Sequence, residues 1–435
     1  FKGRFGYESL QDDAAITTPW ARKNGRLVPI DFDEAIRIIE SGLNPSPSMQ
    51  FILGESLPQE IYRAVHTRKH PLFSFAEVNY SPLIQSIRAA GLENHFGAPA
   101  AVWDSASTFI LLDADLQKDH PVLLLDIMQH LRNGARLVSV QANPDSKLKE
   151  FLKTGQVLSL DKPAASILPA LNRRVARKIV SLSPDLKSLY GSASRSESSA
   201  VLDQLAEQLL NEPHPVILIV GRLNAAGAMH LANLAVMSGR SPEQLRIILA
   251  GGRSNTAGWI LEHRFMLPEL DLTQSPEWLV TIRQDPIGCA RRGKSLIREY
   301  YRKAAFRLTA DFCLSPTAKA SDLVWPVSVF SNPAGTYINS RLEPSMPETA
   351  TAGSSCRSDW THPFRLIELL LNRGPQTTIN LDAFSLADRL ELKAHSDQKL
   401  PLNLDYPIPG SLSHLRIDHG GDWLDRIIST KLPLA

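Results

Sequence analysis

Short apolar runs recur along the chain at 51–53, 109–112, 137–140, 216–220, 247–250 and 279–282. Several are continuous rather than alternating. That pattern suits strands buried on both faces of a parallel sheet. Between them, apolar residues return at helical spacing over 121–131, 225–237 and 364–371. Asp31, with Glu34 three residues on, reads as a capping box that opens a helix carrying Ala35, Ile36, Ile38 and Ile39. Strand–helix–strand alternation predicts a layered α/β fold with right-handed crossovers. The Ser-rich stretch 181–199 reads as an exposed loop or a helical excursion. Beyond Gly374 the pattern weakens, and Pro401, Pro407 and Pro409 break it further. An extended tail is expected there, with one short helix at 381–392.

Length adds the domain count: 435 residues suggest two or three domains. A hydrophobic content of 43% allows a sizeable core. The 47 basic and 45 acidic side chains leave a formal charge of +2, which gives no electrostatic case for nucleic acid or an acidic membrane surface. No apolar run is long enough for a membrane-spanning helix. Cys289, Cys313 and Cys356 are dispersed and odd in number. They predict no disulfide framework, a reducing compartment and no four-thiolate cluster within this chain.

Candidate chemistry is sparse. His66 and His70 sit four apart and could form a metal pair, but no third ligand accompanies them; a solvated basic helix face is the reading preferred. Gly221 with Gly227, and Gly251 with Gly252, follow apolar runs without the G-x-G-x-x-G spacing, so tight turns explain them better than a phosphate cradle. Arg291, Arg292 and Lys294 could bind an anion, though such a run more often starts an exposed helix. Cys289 and Cys313 read as small core residues. No G-x-S-x-G elbow is present, which argues against a hydrolase.

Four longer matches carry a resemblance. Phe1-Lys2-Gly3-Arg4-Phe5-Gly6-Tyr7, followed by Thr17-Thr18-Pro19, Arg22 to Gly25 and Val28 to Ala35, resembles the line that follows the last cluster-binding cysteine of the molybdopterin oxidoreductase family. Asp119-His120-Pro121-Val122 with Gly134 to Val138 resembles a second family segment. Asn255-Thr256-Ala257-Gly258 with Leu267-Pro268 resembles a third. Asp311 to Ala318 with Ala320 to Pro326, then Gly335-Thr336-Tyr337-Ile338-Asn339, resemble the block that wraps the pterin. The resemblance runs from residue 1 to about residue 372. It implies a molybdopterin-oxidoreductase-like α/β fold with two parallel-sheet lobes, one inserted in the other. The implied organisation is a linker over 1–27 after a 4Fe-4S domain, a first lobe over 28–79 plus 256–372, an inserted Rossmann-like lobe over 80–255 and a tail over 373–435. A family C-terminal barrel, on the order of 100 residues, would not fit in that tail.

The departures from the family pattern bear on function. A phosphate-approach glycine is replaced by Asp113, and a guanine-pairing carboxylate by Gln141-Ala142-Asn143. A second G-x-N-P site reads Arg283-Gln284-Asp285-Pro286, and Arg341-Leu342-Glu343 stands where E-G-R is expected. No Cys occurs in Phe75 to Tyr80, where catalytic relatives carry a metal ligand. By resemblance, Asp113, Gln141, Gly221, Asn255, Gly258, Thr317, Asp322, Gly335 and Thr336 are vestigial pterin-loop positions, with no catalytic or metal-binding residue among them.

The pattern is similar to the large peripheral subunit of NADH:quinone oxidoreductase, complex I. It implies a scaffold beside an iron–sulfur chain without a molybdenum cofactor of its own, partnered by the upstream cluster domain and other subunits. The location implied is cytoplasmic, peripheral to the inner membrane. Phe1, Phe5, Tyr7 and Trp20 would dock on the cluster domain. The alternative is a catalytic molybdenum or tungsten bis-pterin oxidoreductase of the formate or formylmethanofuran dehydrogenase type, holding molybdopterin guanine dinucleotide. A free-standing interaction protein is a third reading.

Overall fold

The computed structural model describes residues 15–43, 46–74, 80–141, 156–190, 199–251, 255–265, 272, 276–289, 294–327, 336–345 and 363–371. In chain order the strands are β1 Trp20–Lys23, β2 Arg26–Pro29, β3 Met49–Leu53, β4 Leu72–Phe73, β5 Thr108–Leu112, β6 Arg136–Val140, β7 Val157–Leu160, β8 Val216–Val220, β9 Leu245–Leu249, β10 Trp278–Ile282, β11 Phe306–Asp311, β12 Leu323–Pro326, β13 Tyr337–Ile338 and β14 Pro344–Ser345.

Two larger sheets result. The first has the order β2-β1-β12-β11-β10-β3-β4 and the second β7-β6-β5-β8-β9. All pairings in the second sheet are parallel. The first is parallel from β4 to β12 and antiparallel at its β1–β2 edge. The second sheet is inserted between β4 and β10 of the first. The fold is therefore α/β with two parallel-sheet lobes, one inserted in the other.

The continuous apolar runs explain the sheet centres. Every residue of β5, β8 and β10 is buried. Helices cover both faces, as parallel sheets require. Asp31 caps the helix Phe32–Gly42, its Oδ1 accepting from the Glu34 amide at 2.7 Å. Glu34 does not reach back to complete a capping box; it pairs with Lys23 at 2.6 Å. The helices Pro121–Arg132, Ala225–Ser238 and Pro363–Leu371 lie where the periodicity put them.

Residues 20–27, expected as linker, belong largely to the first sheet. Asn24 and Gly25, at φ +50° and +80°, form the two-residue turn joining β1 to β2. Arg22 ties the hairpin down, donating to the carbonyls of Ser321 and Lys319. Trp20 pairs with Val324 of the same sheet, whereas Phe1, Phe5 and Tyr7 lie outside the described residues. Within 181–199 a helix, Pro184–Tyr190, ends on the buried Tyr190. The expected tail lies outside the described residues.

Cys289 and Cys313 are partly exposed; Cys289 packs against the core cluster around Tyr300 and Tyr301 without being buried itself. No described helix is long and apolar enough to cross a membrane.

Candidate functional site: the two strand-order reversals

In each sheet the chain order reverses once between adjacent parallel strands. In the first sheet one path runs from β3 out to β4, and the other from β10 through β11 to β12. The reversal falls between β3 and β10. In the second it falls between β5 and β8. Such points leave a crevice outside the carboxyl ends of the strands, where α/β folds bind ligands.

The backbone is built alike at both points. In the second sheet Gly221, after β8, donates to Leu112 O at 2.8 Å, and Asp113, after β5, donates to Val140 O at 2.9 Å. Asp113 is left-handed at φ +49°. Its carbonyl oxygen lies 1.8 Å from where a Cβ on residue 221 would stand. In the first sheet Gly54, after β3, donates to Ile282 O at 2.8 Å, and Arg283, after β10, donates to Ala310 O at 2.8 Å. Arg283 has φ +55°, and its carbonyl lies 2.2 Å from a Cβ position on residue 54. Only glycine admits so close an approach.

The side chains at these points fill their own surroundings. Asp113 Oδ2 accepts from the amide of Ala164 at 2.9 Å, the first residue of the helix Ala164–Lys178. Burial raises the Asp113 carboxyl above its ordinary range, and the Ala164 bond opposes that shift. Asp285 Oδ1 accepts from Gly288 N at 2.9 Å, Thr317 N at 3.0 Å and Thr317 Oγ1 at 2.6 Å. Asp311, at the end of β11, is buried. Desolvation pushes its carboxyl up to about 7; bonds from Ser315 and the Phe312 amide pull it down, as does the charge of Arg283.

A polar knot ties the β3 end to two distant segments. Glu55 is fully buried and accepts from Ser74 Oγ at 2.7 Å, Thr256 Oγ1 at 2.5 Å and the Tyr80 hydroxyl. Asn255 N donates to Glu55 O at 2.8 Å, its Nδ2 to Leu57 O at 2.8 Å, and its Oδ1 accepts from Ile338 N at 2.8 Å. Gln59 Nε2 donates to Gly258 O at 3.0 Å and Glu262 Oε2 at 2.9 Å. Glu60 accepts from Thr336. Tyr337 is raised by desolvation, an effect partly offset by Arg283.

Of the positions singled out by resemblance, Asp113 and Gly221 meet at the second reversal. Gln141 follows β6 beside it, buried, with its amide on Leu160 O at 3.2 Å. Asn255, Gly258 and Thr336 share the polar knot, and Thr317 serves Asp285. Asp322 is not with them: it precedes β12, at the opposite end of the strand, and pairs with Arg307 through both carboxylate oxygens at 2.7 and 2.8 Å. Gly335 and residues 75–79 lie outside the described residues.

His66 and His70 do not converge either. His66 stacks on His263 and lies 3.7 Å from Glu262, whereas His70 falls beyond the end of the helix Gln59–Thr67, against Phe51. The described residues contain no group of three or more His, Cys, Asp or Glu side chains able to hold a metal. Asp285 lies in the segment 283–286 that the resemblance singled out, whereas Glu55, Gln59 and Glu60 were not predicted from the sequence. The only available signal was their place next to strand ends.

The molybdopterin guanine dinucleotide of the alternative reading fits poorly with these residues. At the second reversal the helix's first amide already serves Asp113, and no guanine-pairing carboxylate stands at Gln141.

No family profile matches the chain, and no curated protein matches it. Solved structures do. Acetylene hydratase from Pelobacter acetylenicus is 9% identical, at a TM-score of 0.58 over 83% of this chain and 61% of that one. This chain thus spans about three-fifths of the length of that protein. The formyltransferase/hydrolase complex from Methylorubrum extorquens, determined with methylofuran, is 14% identical, at a TM-score of 0.48 over 81% of this chain and 98% of that one. At such identities the likeness to acetylene hydratase is one of fold: a two-lobed α/β body.

Proposed function

We propose that this chain is a molybdopterin-oxidoreductase-like subunit that works as a rigid, non-catalytic body in an oxidoreductase assembly. The observation that carries this reading is Asp113 Oδ2 on the Ala164 amide. The chain's own carboxylate stands at the crevice where the resemblance would put a nucleotide phosphate. Buried polar bonds that tie the end of β3 to the segments at 255–262 and 336–338 supply rigidity. The partners are an iron–sulfur domain and other subunits, in a soluble compartment.

The assembly that the resemblance implies for this role is an NADH:quinone oxidoreductase-like complex. Likeness to acetylene hydratase supports the two-lobed fold that both branches of the resemblance share. The same likeness supports a second reading, in which this chain is itself a catalytic molybdenum or tungsten bis-pterin enzyme.

Affinity purification of the full-length protein from its native host, with elemental analysis, separates the two. The structural role predicts stoichiometric co-purifying subunits that include an iron–sulfur protein, and molybdenum and tungsten well below one equivalent on this chain. Recovery without partners would remove the structural role. Metal near one equivalent, with extractable pterin, would establish the second reading.

A further inference from the structure

We infer that both strand-order reversals are closed by the chain's own aspartates, Asp113 in the second sheet and Asp285 in the first, so that neither crevice admits a nucleoside diphosphate. The inference rests on the non-catalytic reading and gives it a physical device.

Two features make each closure a built one. The first is the backbone, since the left-handed residue at each reversal presses its carbonyl onto the neighbouring glycine. Asp113 O and Arg283 O stand where a side chain on the neighbouring glycine would, so the two segments at each reversal are locked together. The second is the use of donors. At the head of a helix, backbone amides point outward and favour negative charge. The helix Ala164–Lys178 has its first amide satisfied by Asp113, which reaches across 51 residues of sequence. At the first reversal, two amides and one hydroxyl that could serve an anion all donate to one oxygen, Asp285 Oδ1. A phosphate arriving at either place would have to displace a carboxylate or sit beside it. Like charges at contact distance repel, and the displaced group, half-buried at Asp113, would lose its partner.

The sequence change suits this arrangement. A glycine at position 113 could adopt the same left-handed φ but would bring no carboxylate, leaving the Ala164 amide open. Aspartate tolerates that φ better than most side chains and fills the place at once. Asp113 is thus a positioning residue: it orders the start of the helix and excludes a ligand.

The test uses the full chain within its native assembly and two readouts. GDP and inorganic pyrophosphate are titrated by calorimetry. Hydrogen exchange is followed at the amides of residues 164–166. In the wild type neither probe should bind saturably up to millimolar concentration, and the Ala164 amide should be protected. Asp113→Ala should speed exchange at Ala164 at least tenfold, with protection in β5 and β8 unchanged. Asp113→Asn, which keeps an acceptor oxygen and guards against misfolding of the alanine variant, should retain most of the protection. Micromolar binding of GDP to the wild type would overturn the inference, as would unchanged Ala164 exchange in a folded Asp113→Ala protein. The outcomes separate from those of the functional reading. Metal on a chain that still refuses GDP would remove the non-catalytic role and leave the closure standing. GDP binding by a metal-free chain would do the reverse.

Discussion

Glu60 and Thr336 are 276 residues apart in sequence and joined three times in space. The Thr336 amide donates to both carboxyl oxygens of Glu60 at 3.0 Å, and its hydroxyl donates to Oε1 at 2.7 Å. Both residues are buried. Thr336 O in turn accepts from the Gln59 amide at 2.9 Å. The contact pins the start of β13 to the helix Gln59–Thr67, so Glu60→Ala should leave two donors of Thr336 buried without an acceptor. A loss of about 2–3 kcal/mol is expected. Urea unfolding of Glu60→Ala and Glu60→Gln measures it, and the glutamine, which keeps one acceptor oxygen, should lose less. Equal stability of Glu60→Ala and wild type would show that this knot does not hold the segment.

Glycine substitutions should rank by the space behind them. A Cβ on Gly221 would lie 1.8 Å from Asp113 O and one on Gly54 2.2 Å from Arg283 O, both backbone atoms. Backbone cannot swing aside as a side chain can, so Gly221→Ala and Gly54→Ala should each cost about 3 kcal/mol or more. At Gly251 the nearest atom is 4.0 Å from the Cβ position, so Gly251→Ala should stay within about 0.5 kcal/mol of wild type. Thermal unfolding of the three variants checks the order; a Gly221→Ala protein as stable as Gly251→Ala would mean that the reversal is loosely packed.

Much of the fold could be read from pattern because the buried strands are uniform. Runs such as 216–220 and 279–282 have no polar residue to satisfy except Thr281, so hydropathy alone located them. The short strands at the sheet margins escaped this reading. Leu72–Phe73 is too brief for any period, and Trp20–Lys23 alternates only weakly. The β1–β2 hairpin did carry a local signal, Asn24-Gly25, whose left-handed turn is a strong hairpin marker. Site residues were harder to find. Asp113 stood out because an aspartate replaced an expected glycine, but its partner Ala164 is an unremarkable residue in the sequence. Glu55 and Glu60 look like ordinary acidic residues at a helix start, and only tertiary contact with Thr256 and Thr336 makes them buried acceptors. Asp322 misled for the same reason: its neighbours in the chain are pterin-loop-like, while its partner in space is Arg307.

The contact between the inserted lobe and the turn at 340–342 predicts a modest, separable effect. Arg341 pairs with Asp126 at 2.8 Å and lies over the Trp103 ring at 5.3 Å. The Ala98 amide donates to Ser340 O at 3.1 Å. Both charged groups are partly exposed, so solvent screens them and the pair is worth at most about 1 kcal/mol; the cation–ring contact adds a similar amount. Arg341→Ala should therefore cost about 1–2 kcal/mol, and Asp126→Asn less than about 1. A double-mutant cycle by chemical denaturation isolates the pair. A coupling energy near zero would assign the whole loss to the Trp103 contact.

Two buried groups should tilt stability with pH in opposite directions. Asp311 is raised from 3.8 to about 7 by desolvation. The folded chain holds this proton more tightly than the unfolded chain. Stabilisation is therefore full below about pH 4 and falls as pH rises through the folded value near 7. His263 behaves oppositely. Desolvation, reinforced by His66, lowers it from 6.5 to about 3. It packs at a tilt against Trp259, ring centroids 4.5 Å apart, and its Nε2 has no hydrogen-bond partner. Here the unfolded chain binds the proton first, so stability is lost as pH falls from about 6.5 towards 3. Each effect is worth up to about 4 kcal/mol across its window. Because the windows overlap between about pH 4 and 6.5, the two slopes largely offset in the wild type, and single substitutions should uncover them. The measurement is urea unfolding of wild type, Asp311→Asn and His263→Phe at intervals from pH 4 to 8. With Asp311→Asn, stability relative to wild type should climb as pH rises to 7. With His263→Phe, it should fall as pH rises from 4 to 6.5. Parallel curves for all three proteins would mean that neither group changes its proton affinity on folding.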